Sequence, residues 1–359
     1  MLQWGGERAV AGKMKALAKT RRGTGLDLIE TDIPVAGPGE VLVKVEATSI
    51  CGTDLHIYRW DEWSQKRIAV PRVTGHEGAG YVVQVGPDVK GFREGDYVTF
   101  ESHHTCGLCF QCRTGQAHVC REYRIFGVDV DGCFAEYAKA PAGAVWLNPP
   151  DLPVEHACIQ DPFGNAVMSA LSGEVAAQSV LVIGCGAIGL FSIAIAKSCG
   201  ASQVIGVDLN EYRLDLARKV GATTVFNPRR DDWVAGVRDI TGGSGVDVVL
   251  EMSGNAEALK AGLTVVRNAG RVSLLGIPSE PVYIDLARDV IFKGLRLDGI
   301  TGRRLFDTWY KSSSLLQRVV DVGPILTHRF SLEDYEKGFD LMDRGDCGKI
   351  ILYPGGIRE

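Results

Sequence analysis

The sequence predicts an α/β protein in which a β-rich segment is joined to a doubly wound domain built on a parallel sheet. Three observations carry that prediction. Residues 14–161 consist of short β-branched runs punctuated by Gly and Pro. After Asn165 the rhythm changes to strands alternating with helical patterns, the mark of βαβ units. Gly184, Gly186 and Gly189 then stand between a strand-like run and a helix-like one, where a dinucleotide-binding turn belongs.

The 359 residues allow two domains at about 150 residues each. Residues 1–13 lack periodicity and read as a loose leader. Residues 14–164 form the β-rich domain, completed by 304–359, around an inserted doubly wound domain over 165–303. In the β-rich part, Val41, Leu42, Val43 and Val45 follow Pro38-Gly39, and 80–85 precedes Gly86-Pro87. Both read as strands bounded by turns in a partly open barrel. Asp161-Pro162 is expected to end this regime, because a residue before proline resists helix. Beyond it, strands are predicted over 179–183, 203–208, 246–250, 271–275 and 295–300. One helix is predicted over 187–199, closed by Gly200. A second, capped by Asn210, runs to 220 with Gly221 behind it. From Phe306 a helical stretch leads to short strands over 325–330 and 349–353, which rejoin the first domain.

Hydrophobic residues at 45% and charged residues at 23% are ordinary for a soluble globular chain. A net charge of −5 without a dense basic run argues against a nucleic-acid partner. Residues 180–196 are strongly apolar, but they contain three glycines and fall short of the ~20 residues a membrane span needs. A buried strand–turn–helix fits better. The N-terminus lacks a signal-peptide pattern, so the cytoplasm is the expected compartment.

Four of the ten cysteines are spaced Cys106-x2-Cys109-x2-Cys112-x7-Cys120, which suits tetrahedral zinc on four thiolates. Disulfides would need an oxidising compartment. An iron–sulfur cluster of the bacterial ferredoxin kind has its fourth cysteine after three residues and before proline, whereas here seven intervene and Arg121 follows.

In Gly184-Cys185-Gly186-Ala187-Ile188-Gly189 the first glycine allows a tight turn, the second lets backbone approach a pyrophosphate and the third lets helix pack on strand. The helix N-terminus offers free N–H groups to phosphate. Asp208, at the end of the next strand, would bind ribose hydroxyls and repel a 2′-phosphate, favouring NAD over NADP. Arg213 would cover the adenine face or hold a phosphate.

Cys51, Thr53 and His56 lie in one turn-rich segment, His76-Glu77 in another, and Asp161 adds a further acid. Cys, His and a carboxylate make a three-ligand catalytic zinc set with the fourth position open. Thr53 leading to His56 is a short proton exit. His103 and His104 either line the substrate pocket or lie on the surface.

Together these residues resemble the zinc-containing medium-chain dehydrogenases, from Met14 to Tyr353. The core Cys-Gly-Thr-Asp-Leu-His at 51–56 is shared with members acting on polyols. The continuation at 57–65 (IYRWDEWSQ), DPFGNAV at 161–167, and residues 307–310 and 327–330 are similar to members acting on L-threonine. The resemblance implies a GroES-like catalytic domain, a Rossmann NAD-binding domain and two zinc ions per subunit. Cys51, His76 and Glu77 would surround the catalytic zinc, and Cys106, Cys109, Cys112 and Cys120 the structural one. Thr53 and His56 would form the charge relay, aided by Asp161, with the choice between Glu77 and Asp161 as metal ligand left open. Gly184, Gly186, Ile188, Gly189, Asp208, Arg213, Leu275, Gly276, Ile277, Gly299 and Ile300 would contact NAD, and His103 would handle substrate. The implied reaction is oxidation of the L-threonine 3-hydroxyl to 2-amino-3-oxobutanoate, or the same chemistry on a sorbitol- or 2,3-butanediol-type substrate. The implied setting is a cytoplasmic homotetramer whose product passes to a 2-amino-3-oxobutanoate ligase. Gly78-Ala79 and Thr301 stand where bulkier or aromatic residues are usual, and are expected to reshape the pocket.

Overall fold

The computed structural model describes residues 11–357, so most of the leader read over 1–13 lies outside the described residues. The chain forms two compact units. One comprises residues up to Asp161 together with His328–Arg344 and Lys349–Glu359; the other comprises Pro162–Thr327 and Gly345–Gly348.

The spine of the first unit is β1 (Glu40–Ile50), which runs into the short helices α1 (Gly52–Arg59) and α2 (Glu62–Arg67). Four further strands follow: β2 (Gly78–Val85), β3 (Tyr97–Phe100), β4 (Tyr137–Pro141) and β5 (Val145–Leu147). β1 pairs antiparallel with both β2 and β4, and β3 joins β2 to β5. Val41, Val43 and Val45 alternate along β1 onto one face and pack with Val82, Val98 and Phe100. Each such side chain, fully buried, contributes about 1.5–3 kcal/mol. Gly78 and Ala79 belong to this packing. A side chain at Gly78 would meet Cys133 Sγ at 2.8 Å, so the strand core keeps this position small, and Ala79 beside it is fully buried.

Helix α3 (Gln160–Ala170) contains the Asp161-Pro162 pair that was expected to stop a helix. Pro162 stands in the first turn, where its missing N–H has no intrahelical acceptor to lose. The rule about residues before proline yields to that position.

The second unit alternates as its pattern predicts. Strands β6 (Ser179–Ile183), β7 (Gln203–Val207), β8 (Thr224–Phe226), β9 (Val246–Glu251), β10 (Val266–Leu274) and β11 (Arg296–Gly299) form one parallel sheet in the order β8-β7-β6-β9-β10-β11. Helix α4 (Ala187–Ser198) follows β6, and α5 (Glu211–Lys219) follows β7. Asn210 caps α5 by accepting from the N–H of Arg213 at 3.3 Å. The chain moves outward from β6 to β8, then returns to the other side at β9, so the switch point lies between β6 and β9. Leu181, Ile183, Ile205, Val207, Val249 and Val272 form the core around it. Residues 187–196, part of the apolar run, form a short buried helix. No helix among the described residues is long and apolar enough to cross a membrane. The last α-helix of this unit, α6 (Asp307–Arg318), sets Trp309 beneath the buried Arg303, whose guanidinium lies 5.4 Å from the ring centroid.

Two strands end the fold: β12 (Leu326–Ser331) and β13 (Lys349–Tyr353). β13 pairs antiparallel with β1, with Ile350 opposite Ile50, and β12 lies beyond it.

Candidate active site

Strand register assembles the site of the first unit. Thr48 of β1 pairs with Gly78 of β2, which brings His76 and Glu77 alongside the end of β1. Two bonds fasten that approach: Thr48 Oγ1 and the Ser49 N–H donate to the Glu77 carbonyl at 2.6 and 2.9 Å. The Ile350–Ile50 pair then sets Lys349 at the same edge. As a result one ligand atom from each of Cys51, His76 and Glu77 lies within 4.8 Å of the others.

The electrostatics of the trio are unusual for buried groups. One oxygen of Glu77 (Oε2) accepts from Ser49 Oγ and from the Lys349 ammonium, while Oε1 has no hydrogen-bond partner. Lys349 also donates to the Ile50 carbonyl at 2.9 Å. Burial, the largest single influence, opposes the charge on Lys349, but Glu77, Cys51 and Asp54 together outweigh it and raise its pKa. His76 Nδ1 stands 3.6 Å from Asp54 Oδ1, and neither atom is hydrogen-bonded. Burial disfavours the His76 imidazolium, yet Asp54 and Cys51 prevail and lift its pKa well above 6.5. The other oxygen of Asp54 accepts the Cys51 N–H at 2.9 Å, closing a capping box on α1. A buried pocket holding a thiol, an imidazole and a carboxylate oxygen without a proton donor asks for a cation. With three protein donors, zinc would keep an open fourth position.

Asp161 is buried, but it is not grouped with the three clustered donors. Thr53 and His56 share helix α1, three residues apart, and His56 Nδ1 is bonded to Asp61. His103 is bonded to the buried Glu101 at 2.9 Å and lies near Ser102. His104 packs on Phe126, and burial lowers its pKa to about 4. It also lines a cavity of about 760 Å³ together with Arg72, Arg124 and Lys139.

The four-cysteine loop fits a tetrahedral ion. Its sulfurs lie 3.4 Å (Cys109–Cys112), 3.8 Å (Cys109–Cys120) and 3.5 Å (Cys120–Cys106) apart. A zinc–sulfur bond of about 2.3 Å implies edges of ~3.8 Å, and a disulfide would need about 2.05 Å. All ten cysteines are free. Backbone N–H groups point at the sulfurs: those of Arg121 and Cys112 lower the Cys109 thiol to about 6, toward the thiolate a metal requires.

In the second unit the glycine turn sits at the switch point, where open parallel sheets bind ligands. Gly184 has φ 91°, and a Cβ there would meet Ser253; a Cβ at Gly189 would fall 1.9 Å from the Gly184 carbonyl. Around Gly186 there is open space, as backbone approach to a phosphate demands. Asp208 closes the turn by accepting from the N–H groups of Cys185 at 2.7 Å and Asn210 at 2.9 Å. Arg213 is half-buried, with its Nε unpartnered. Leu275 and Gly276 donate their N–H groups to the Glu251 carbonyl, both at 3.0 Å; Ile277 is exposed, Gly299 ends β11 and Ile300 follows it. Replacing Asp208 by Asn should remove the charge that repels a 2′-phosphate. The ratio of kcat/KM for NADP to that for NAD should rise at least tenfold, about 1.4 kcal/mol. Steady-state rates with both cofactors check this.

Sequence reading missed three residues. Asp54 carries a signal, standing three residues after Cys51 as a capping acid does. Lys349 is the one charge in its strand, and Glu251 ends a strand directly after the apolar run Val248-Val249-Leu250. The Glu251 carboxylate gathers the N–H groups of Ser253 at 2.8 Å and Gly254 at 3.0 Å beside the glycine turn, and burial raises its pKa.

Family models agree with both halves of this description. Residues 37–150 match the alcohol dehydrogenase GroES-like domain, and residues 187–318 match the zinc-binding dehydrogenase domain. The chain is 50% identical to the L-threonine 3-dehydrogenase of Bacillus licheniformis, covering 96% of this chain and 99% of that one. It is 52% identical to the L-threonine 3-dehydrogenase of Pyrococcus horikoshii, covering 95% and 98%. Among solved structures, the 2R,3R-butanediol dehydrogenase of Bacillus subtilis superposes with a TM-score of 0.85 at 26% identity, covering 95% and 100%.

Proposed function

Because the chain belongs to the zinc-binding, GroES-like alcohol dehydrogenase family, we propose that it oxidises the 3-hydroxyl of L-threonine to 2-amino-3-oxobutanoate, with NAD as hydride acceptor. The observation that carries the reading is the Cys51–His76–Glu77 donor set in a chain half identical to L-threonine 3-dehydrogenases over nearly its full length. The butanediol reading keeps the same chemistry, but its support is a 26% likeness against 50% and 52%.

Cys51, His76 and Glu77 would hold a zinc ion, and its chemistry there would be that of a Lewis acid easing deprotonation of the substrate hydroxyl. The residues do the rest. Lys349 and Ser49 hold one oxygen of Glu77, leaving the other for the metal. Thr53 and His56 take the hydroxyl proton toward solvent, where His56 is exposed. Asp161 supports that transfer, and His103 meets substrate. The glycine turn and Asp208 hold the dinucleotide, leaving the nicotinamide to accept the hydride. The four-cysteine loop holds a second, structural zinc.

The same reading makes the protein a cytoplasmic homotetramer whose β-keto product feeds a ligase that cleaves it. Leu108 and Phe110, 81% and 76% exposed on the cysteine loop, suit a subunit contact. NADH formation with L-threonine, sorbitol and 2,3-butanediol tests the substrate. We expect kcat/KM for threonine at least a hundredfold above either diol, more than about 2.7 kcal/mol. Activity on a diol with none on threonine would reverse the reading.

A further inference from the structure

The segment Trp60-Asp61-Glu62-Trp63-Ser64-Gln65 has no part in metal or dinucleotide binding, yet it folds against the helix that carries the proton exit. α1 ends at Trp60, whose left-handed backbone (φ 58°) turns the chain sharply. Asp61 follows as the N-cap of α2, its Oδ1 accepting the N–H of the buried Ser64 at 3.0 Å. Gln65 donates to the Trp60 carbonyl at 2.9 Å and keeps the corner closed. So anchored, the second oxygen of Asp61 bonds Nδ1 of His56. Neighbouring charges are taken elsewhere: Arg59 by Asp343, Glu62 by Lys66 and Arg67 by Asp129.

We propose that Asp61 is the positioning residue of the proton exit, selecting the His56 tautomer in which Nε2 accepts the substrate's proton. This rests on the dehydrogenase reading and on His56 as relay. An ionised carboxylate only accepts hydrogen bonds, so the nitrogen facing it must carry the proton. Nδ1–H donates to Asp61, and Nε2 keeps its lone pair. When the hydroxyl proton reaches Nε2, the imidazolium is bonded at Nδ1 to a carboxylate, and the exposed His56 side chain passes the proton from Nε2 to water. His56 returns to the same tautomer. No proton is gained or lost by Asp61.

Asp61→Asn separates this role from helix capping. Asparagine caps a helix as well as aspartate. With its carbonyl oxygen on Ser64, its amide nitrogen would face His56 as a donor, forcing the proton onto Nε2, where none can then be accepted. A carboxylate-to-amide change beside a catalytic histidine acts in this way in serine proteases. The zinc-loaded holoenzyme is used throughout. For Asp61→Asn we expect an unchanged melting temperature, unchanged NAD affinity and zinc content, and a kcat for L-threonine at least tenfold lower with KM for NAD unaltered. Nitrogen-15 spectra of imidazole-labelled protein should show His56 moving from Nδ1–H to Nε2–H, and Asp61→Asn in a His56→Gln background should cost nothing further. The proposal is overturned if the tautomer stays at Nδ1–H, or if it flips while kcat is unchanged. The spectrum needs no substrate, so a wild type inactive on threonine would sink the functional reading while still judging the His56–Asp61 pair.

Discussion

Replacing Cys51 by Ser is expected to reduce turnover by at least about a thousandfold, some 4 kcal/mol of lost transition-state stabilisation, while the protein still folds and binds NAD. A thiolate is a strong zinc ligand, and a serine hydroxyl keeps its proton at neutral pH. Removing one of only three protein donors should empty the open site. The backbone is spared, because the Asp54 carboxylate accepts the Cys51 N–H whichever side chain stands at that position. The glycine turn and Asp208 lie in the other compact unit, with their own core. Zinc measured by atomic emission should fall from two ions per subunit to one, since the four-cysteine loop is untouched. Cofactor affinity by fluorescence titration should stay within a factor of two. Wild-type turnover in this variant would remove the metal assignment.

Replacing Lys349 by Met should lower the stability of metal-stripped protein by about 3–5 kcal/mol, the cost of leaving a buried charge without its partner. Glu77 is fully buried, and its cationic partner is Lys349. The methionine fills most of the volume, so the loss reports charge and not packing. The double variant Lys349→Met, Glu77→Gln should recover more than half of the loss, because the carboxylate that suffers is gone. Urea midpoints of the wild type, both single variants and the double variant measure this cycle. Simple addition of the two single effects would show that Lys349 acts through packing. In the zinc-loaded protein the Lys349→Met penalty should shrink, since the metal supplies the missing positive charge.

The legible parts were those written in local spacing. Four cysteines within 15 residues, three glycines between a strand and a helix, and an asparagine before α5 each declare themselves within a turn or two. One local rule misled: a residue before proline resists helix, yet Asp161-Pro162 opens α3, where the proline N–H was never needed. The small residues after Glu77 also looked like features of a pocket. At Gly78, contact with Cys133 from a distant segment requires the small residue.

By itself, then, the sequence determined the two architectures, the dinucleotide turn and a thiolate metal knot, because each depends on residues close along the chain. Tertiary structure decided that Glu77, not Asp161, joins Cys51 and His76, that Lys349 neutralises it, and that Asp54 and Asp61 each face a histidine. For the metal cluster, those partnerships depend on the antiparallel register of β1 with β2 and β13, and a slip of one residue would turn every side chain to the opposite face. For Asp61, they depend on the left-handed turn at Trp60. Neither is written in the spacing of the residues it brings together.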